Sequence, residues 1–178
     1  MVFKDYTFFS YVFPAIAVIL LTGHAHGQGL CDNSNYKVVC ESIVVYRTDP
    51  KNASIAACHK LIFETKNVRV AAQTPPVSAE FEICIAAFNG AIANTKIALQ
   101  GLLDGDYATL RTYLIAAKTN YLGCDDAFQN SGQTNPIAKS TKLLLDIASV
   151  GVDLAALIKW KKFMSCMWVN KSGLNKLL

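Results

Sequence analysis

Side chains that catalyse reactions or bind metals are scarce in this sequence of 178 residues, which has only three histidines. Two of them, His24 and His26, lie near the start of the chain, so His59 is the single histidine of the remainder. The motifs HExxH, GxSxG and GxGxxG, the P-loop and paired CxxC sequences are all absent. Zinc sites and Ser-His-Asp triads need several converging ligands or bases. We therefore predict no catalytic residues, no metal and no cofactor, and hence a protein that is not an enzyme.

Two pairs of neighbouring residues carry titratable side chains that a catalytic site could use. Asp125 and Asp126 are adjacent carboxylates, and Cys58 directly precedes His59. Adjacent side chains on a helix diverge by about 100°, so neither pair converges on one substrate atom. We interpret the two aspartates as a solvated helix end, and the second pair as a core cysteine beside a surface histidine.

Over most of the chain neither positive nor negative side chains are in clear excess. Residues 28–158 carry 11 basic and 12 acidic side chains, a net charge of −1, whereas residues 159–178 add five lysines and no acid. This composition leaves no basic face large enough to indicate a nucleic-acid partner. The net charge of +4 for the whole sequence reflects its end, so we treat 159–178 as a separate basic tail.

The main apolar run is too short for a membrane span. It covers residues 8–21, whereas about 20 apolar residues are needed to cross a bilayer. Lys4 precedes the run and small residues follow it at 22–27, which is typical of a secretory signal peptide. We predict a signal peptide over residues 1–27, cleaved near Gly27.

Features beyond the predicted signal also indicate secretion. All six cysteines lie there, at positions 31, 40, 58, 84, 124 and 166, and an oxidising compartment would permit disulfides. The sequences Asn52-Ala53-Ser54 and Asn170-Lys171-Ser172 match the N-glycosylation pattern. We therefore treat Asn52 and Asn170 as candidate glycosylation sites.

Four segments show the three-four spacing of apolar residues that is typical of amphipathic helices. The spacing predicts helices over 53–70, 78–103, 107–128 and 136–158. Short connections favour antiparallel neighbours, so the expected fold class is all-α, an up-and-down four-helix bundle. The predicted end signals are Asp49-Pro50, Ser78, Gly105, Asp106 and Asn135-Pro136. In the first helix we expect Ile55, Cys58, Ile62 and Val70 to face the core.

Cys84 and Cys124 lie at equal distances from a turn sequence. Each is 20 residues from Asp104, the first residue of Asp104-Gly105-Asp106. If both flanks are helical, an antiparallel hairpin brings the two sulfurs side by side, about 30 Å from the turn. A disulfide needs Cα atoms within roughly 7 Å, so the spacing suggests a stapled helical hairpin.

This combination of features resembles the plant invertase and pectin methylesterase inhibitor family. The opening Cys31-x8-Cys40 and the stapled hairpin are joined by stretches that look like the family's turn and its following helix. These stretches are LLDGDY at 102–107, AAKTN at 116–120 and CDDAF at 124–128, with Tyr36 and TDP at 48–50 in the opening block. The resemblance covers about 30–157.

The resemblance implies a fold, a disulfide pattern and a function. Family members are four-helix bundles with an N-terminal helical hairpin, and their disulfides would correspond here to Cys31–Cys40 and Cys84–Cys124. They form non-covalent one-to-one complexes with pectin methylesterase or acid invertase and block the substrate cleft. The expected location is the apoplast or cell wall, and the expected domain covers 28–158.

The turn residues favour pectin methylesterase as the target. Invertase inhibitors of this type can carry Pro-Lys-Phe after the Gly-Asp of the turn, whereas this chain has Tyr107-Ala108-Thr109. Thr119 corresponds to a threonine that contacts the esterase in such inhibitors. The resemblance thus implies Asp106, Tyr107, Thr119 and Asn89 as target-binding residues. Cell-wall or vacuolar acid invertase is the alternative target.

Two segments depart from the family pattern. The stretch from Asp49-Pro50 to Cys84 is shorter than the family norm by about a dozen residues, or about three helical turns. Either one bundle end is truncated or the protein is atypical. The tail 159–178 has aromatic residues among its lysines; we interpret it as a helix extension or frayed terminus and expect no membrane contact. Cys58 and Cys166 are free, pair with each other, or support a dimer.

A function of another class is compatible with a shortened helix. A secreted helical bundle with an opened core could hold a small apolar ligand without inhibiting any enzyme. Such a non-inhibitory ligand-binding module predicts a sizeable internal cavity.

Overall fold

The computed structural model describes residues 28–74 and 78–174, and the side chains of 29–74 and 78–158. Within these ranges the chain forms helices and no strand. In chain order the helices are α1 (Gln28–Cys31), α2 (Lys37–Val44), α3 (Pro50–Ala72), α4 (Ala79–Leu103), α5 (Tyr107–Asn130) and α6 (Ala138–Leu174). The predicted signal peptide, 1–27, lies outside the described residues.

Helices α3 to α6 form the bundle. Each packs against its neighbours in the chain, and α6 closes the ring by packing against α3. Opposed contacts show that α5 and α6 run antiparallel: Leu114 lies against Gly151, and Asp125 lies against Thr141. The predicted all-α fold class, an up-and-down four-helix bundle, is confirmed.

The starts of three bundle helices match their sequence signals. The side chain of Asp49 accepts a hydrogen bond from the Asn52 N–H, and Pro50 occupies the first helical position of α3. Ser78 caps α4 and Asp106 caps α5. Helix α3 begins earlier than the prediction over 53–70, because the cap at Asp49 starts the helix at Pro50. Its 23 residues compare with 25 in α4 and 24 in α5, so α3 is not shorter than its neighbours by three turns.

The core positions of α4, α5 and α6 follow the predicted spacing, but of the four residues predicted to face the core from α3 only Cys58 is fully buried. Val70 is 59% exposed, and Ile55 and Ile62 are only half-buried. Besides Cys58, the inward face of α3 includes Ala53, Ser54, Ala57, Leu61 and Thr65. Apart from Leu61 these side chains are small, so Ile62 and Val70 were misleading markers of the core.

Helices α4 and α5 approach each other closely at two points of their hairpin. The Cys84–Cys124 disulfide joins Cα atoms only 4.4 Å apart. Near the turn, a Cβ added to Gly101 would lie 2.7 Å from Cγ2 and 2.9 Å from Cβ of Thr109. Between these points Phe88 packs against the ring of Tyr121 in the core. The disulfide therefore holds the two helices together at one end. At the other end, the lack of a side chain at Gly101 lets them approach.

The N-terminal segment forms a small unit on the bundle. The Cys31–Cys40 disulfide joins α1 to α2, as the resemblance implies. Ile43 and Val44 of α2 are buried in the core. The Ser34 hydroxyl donates to the Asp153 carboxylate at 3.0 Å, which ties this unit to α6.

The connection from α5 to α6 differs from the prediction. Helix α6 begins at Ala138 rather than at Pro136, because a turn intervenes in which Asn135 accepts a hydrogen bond from the Ile137 N–H at 2.9 Å. The Asn135 amide also donates to the Asp125 carboxylate at 2.5 Å. Asp125 is therefore half-buried and structural rather than solvated. Asp126 beside it is exposed as expected.

A buried hydrogen bond joins α3 to α5 across the core. The hydroxyls of Thr65 and Tyr121 lie 2.6 Å apart, and both residues are 0% exposed. The Thr65 hydroxyl also lies 2.6 Å from the Leu61 carbonyl, which can only accept. Thr65 therefore donates its proton to Leu61, and the Tyr121 phenol donates to Thr65. Burial raises the pKa of Tyr121 well above its usual value, so the phenol keeps its proton.

The close contact of Gly101 with Thr109, and the open space around Gly123, predict opposite effects for two Gly→Ala substitutions. Gly101→Ala should destabilise the protein by about 1–3 kcal/mol, because the branched Thr109 side chain cannot move aside without disturbing the hairpin. Gly123→Ala in α5 meets no atom within 4 Å and should stabilise by up to about 1 kcal/mol through helix propensity. Urea unfolding measures both. Equal effects would contradict the close packing at Gly101.

The Thr65–Tyr121 bond predicts an order of stability between two variants. Tyr121→Phe removes a donor and leaves Thr65 bonded to Leu61, so it should cost about 1 kcal/mol. Thr65→Val leaves the buried phenol without an acceptor and should cost more, up to about 3 kcal/mol. The free energy of unfolding in urea gives the order. A larger loss for Tyr121→Phe would contradict the donor assignment.

Candidate functional site

The turn between α4 and α5 is a fixed structure. The Asp106 N–H donates to the Gly101 carbonyl at 2.7 Å, and the Gly105 N–H donates to the Leu102 carbonyl at 3.3 Å. This pair of bonds is a Schellman motif. It places Gly105 in the left-handed region, at φ +79°, as predicted. The Gln100 amide holds the Asp104 carboxylate, so the turn presents a defined shape to a partner.

Asp106 is exposed, but its carboxylate accepts hydrogen bonds from the first turn of α5. It accepts hydrogen bonds from the Thr109 hydroxyl at 2.6 Å and from the N–H groups of Thr109 and Ala108. These bonds, the Thr109 hydroxyl first among them, hold the pKa of Asp106 below its ordinary value. Asp106 thus orders the first turn of α5.

Tyr107 lies at the edge of a groove between α5 and α6. The groove has a volume of about 260 Å³. Tyr107, Arg111 and Ile115 line it from α5, each one turn beyond the last, together with Thr112. Ala155 and Ala156 line it from α6. The predicted site residue Tyr107 is therefore half-buried in a groove wall rather than part of a flat surface.

Thr119 lies on the outside of α5. It is exposed, and its hydroxyl donates to the Ile115 carbonyl at 3.2 Å. Ile115 and Leu122 are 43% and 44% exposed, one turn before and one turn after it. We call Ile115, Thr119 and Leu122 the outer face of α5. Thr119 is about 18 Å along the helix from Tyr107, so the site is an extended surface, not a cleft.

Asn89 faces a different helix from the other predicted site residues. Its Oδ1 accepts a hydrogen bond from Nη1 of Arg69 on α3, at 2.7 Å. Nε of Arg69 is buried without a hydrogen-bond partner among the described residues. Asn89 is exposed, but this bond orients its amide towards the α3–α4 side. The structure brings together Asp106 and Tyr107 at the turn, and it does not bring Asn89 to the outer face of α5.

Sequence reasoning overlooked Arg111 and Arg69. Arg111 is four residues after Tyr107, so the helical repeat was a signal that both residues share one side of α5. The sequence gave no such signal for the Arg69–Asn89 bond, because the two residues lie on different helices.

Cys58 and His59 do not form a reactive pair. Cys58 is a free cysteine in the core, and burial raises the pKa of its thiol to about 12. At neutral pH it is therefore a protonated thiol without nucleophilic character. His59 is exposed as expected. The side chain of Cys166 lies outside the described residues.

Two other kinds of site are absent from the described residues. No group of three or more potential metal ligands occurs among them. No helix among them is long and apolar enough to span a membrane.

Of the two candidate glycosylation sites, Asn52 is exposed in the first turn of α3, and Asn170 lies in α6 beyond the described side chains.

Comparison with known proteins gives a likeness of fold. No family model and no curated protein matches the chain. Among solved structures, the chain is similar to the crystal structure of a mutant form of a pectin methylesterase inhibitor from Arabidopsis. The TM-score is 0.62 and the identity is 13%; the match covers 71% of this chain and 93% of that chain. The helical inhibitor fold expected from the sequence is thus confirmed as a fold.

The lowered pKa of Asp106 predicts a pH dependence of stability. A carboxylate whose pKa is lower in the folded state stabilises the protein above its unfolded pKa, about 3.9. That contribution is lost as the pH falls through the folded pKa. Asp106→Asn keeps a capping side chain but has no charge, so its stability should fall less between neutral and acidic pH.

Urea unfolding over this pH range measures the effect. Asp126→Asn is the matched control, because Asp126 is exposed and makes no hydrogen bond or ion pair among the described residues. An identical pH profile for Asp106→Asn and the wild type would contradict the assigned cause.

Proposed function

We propose that the protein is a secreted inhibitor that covers the substrate cleft of a plant cell-wall carbohydrate-active enzyme. The observation that carries this proposal is the likeness of its bundle to a pectin methylesterase inhibitor. The two disulfides support an oxidising, extracellular location such as the apoplast. Inhibition by such a fold requires no catalytic residue.

A rigid surface suits steric inhibition. The Schellman turn, the Cys84–Cys124 disulfide and the close packing at Gly101 leave the α4–α5 hairpin little freedom to lose when a partner binds. Binding then costs less conformational entropy, so more of the contact energy remains as affinity.

The outer face of α5 is the surface that we propose contacts the enzyme. Ile115 and Leu122 expose apolar area on either side of the Thr119 hydroxyl, an arrangement typical of an interface core with a polar contact. Tyr107 and Asp106 would extend this contact to the turn. Asn89 is on the α3–α4 side, so its contact would require an enzyme surface that reaches around α4.

Pectin methylesterase is the target that we favour. The turn carries Tyr107-Ala108-Thr109 in place of Pro-Lys-Phe, and Thr119 is accessible to solvent. Acid invertase remains the second target to be tested, in the same assay. We propose a non-covalent one-to-one complex in either case.

We expect the recombinant mature chain, 28–178, to inhibit a plant pectin methylesterase at micromolar concentration or below, at acidic pH. An acid invertase is titrated in parallel, and light scattering gives the stoichiometry. Absence of inhibition of both enzymes would contradict the proposed function. Inhibition of invertase alone would reverse the choice of target.

A variant on the outer face of α5 locates the interface. Thr119→Arg should weaken inhibition by about tenfold or more, because a long charged side chain separates the two surfaces. Thr134→Arg, on the exposed loop before α6, makes the same chemical change away from α5 and should inhibit as the wild type does. Equal inhibition by both variants would place the contact elsewhere.

A further inference from the structure

The groove between α5 and α6 has the features of a small binding site. Its volume of about 260 Å³ equals that of about nine liquid waters and lies just below the range of pockets for drug-sized ligands. A single phosphate or a lone carboxylate would leave much of this space empty. The volume therefore suits one ring with its substituents.

Arg111 gives the groove its charge. It is the one charged side chain among the described lining residues, and no hydrogen bond or ion pair engages it within the described region. A guanidinium binds a carboxylate through two parallel hydrogen bonds. Asp106 does not compete for Arg111, because its carboxylate already accepts bonds from Thr109 and Ala108. These same bonds occupy the N–H groups of Ala108 and Thr109 in the first turn of α5, which leaves the guanidinium as the cationic group of the groove.

The other lining residues indicate a hydroxylated ring. The aromatic face of Tyr107 can pack on the C–H face of a sugar, and Ala155 and Ala156 allow a ring to approach the backbone of α6 closely. The hydroxyls of Thr112 and Tyr107 offer hydrogen bonds that a purely aromatic acid would leave unused.

We propose that this groove binds an acidic sugar unit, a hexuronate, with its carboxylate on Arg111 and its ring against Tyr107. The site goes beyond the proposed inhibition and does not depend on it. Because Arg111 is exposed, water screens the ion pair, and we expect a dissociation constant in the millimolar range.

The test titrates the isotope-labelled full chain, secreted from yeast, with D-galacturonate and follows backbone amide shifts by NMR. The pH is about 6, at which the sugar carboxylate is ionised. The methyl ester of galacturonate and D-galactose are the uncharged controls. Benzoate and inorganic phosphate test a ring acid without hydroxyls and an anion without a ring.

We expect saturable shifts at the groove with D-galacturonate and at least about tenfold weaker binding of every control ligand. Arg111→Gln should weaken galacturonate binding by a similar factor, and Lys96→Gln, an exposed charge on α4, should not. Ala156→Leu fills the groove from α6 and should abolish binding. It serves as a second test if Arg111→Gln folds poorly.

Three results would overturn the proposal. The first is the absence of saturable shifts at the groove. The second is comparable or tighter binding of the methyl ester, galactose, benzoate or phosphate. The third is unchanged galacturonate binding by folded Arg111→Gln or Ala156→Leu. None of these results bears on enzyme inhibition, which is measured separately.

Discussion

The rest of the bundle depends on the close approach of α4 and α5. The disulfide fixes their separation at one end, with Cα atoms 4.4 Å apart, and Gly101 permits contact with Thr109 at the other. Between these points Phe88 and Tyr121 pack against each other and belong to the same buried cluster as residues of α3 and α6. The bond between Thr65 and Tyr121 is one result, because it joins α3 to the stapled hairpin through the centre of the core.

Much of this architecture could be predicted from sequence, because it rests on local rules. Caps such as Ser78 and Asp106 act within one helical turn, and the equal spacing of Cys84 and Cys124 about the turn requires only helix geometry. The inward face of α3 could not be predicted in the same way. Apart from Leu61 and the predicted Cys58, it consists mainly of alanines and hydroxyl-bearing residues, while the larger Val70 is exposed.

The candidate site was less predictable than the fold. The residues implied by the resemblance occupy three environments: the cap at Asp106, the outer face of α5 around Thr119, and the bond from Arg69 to Asn89. A sequence places each residue on a helix but does not say which neighbouring helix its side chain meets. The groove beside Arg111 is a case in point, because residues of both α5 and α6 line it.

The Cys84–Cys124 disulfide has a further consequence for a protein outside the cell. The turn Asp104-Gly105-Asp106 is exposed, and an exposed loop is where proteases cut most readily. A cut there would release no fragment, because the disulfide still joins the two helices on either side of the break. The hairpin would stay assembled as two chains, with α5 and its outer face still joined to α4.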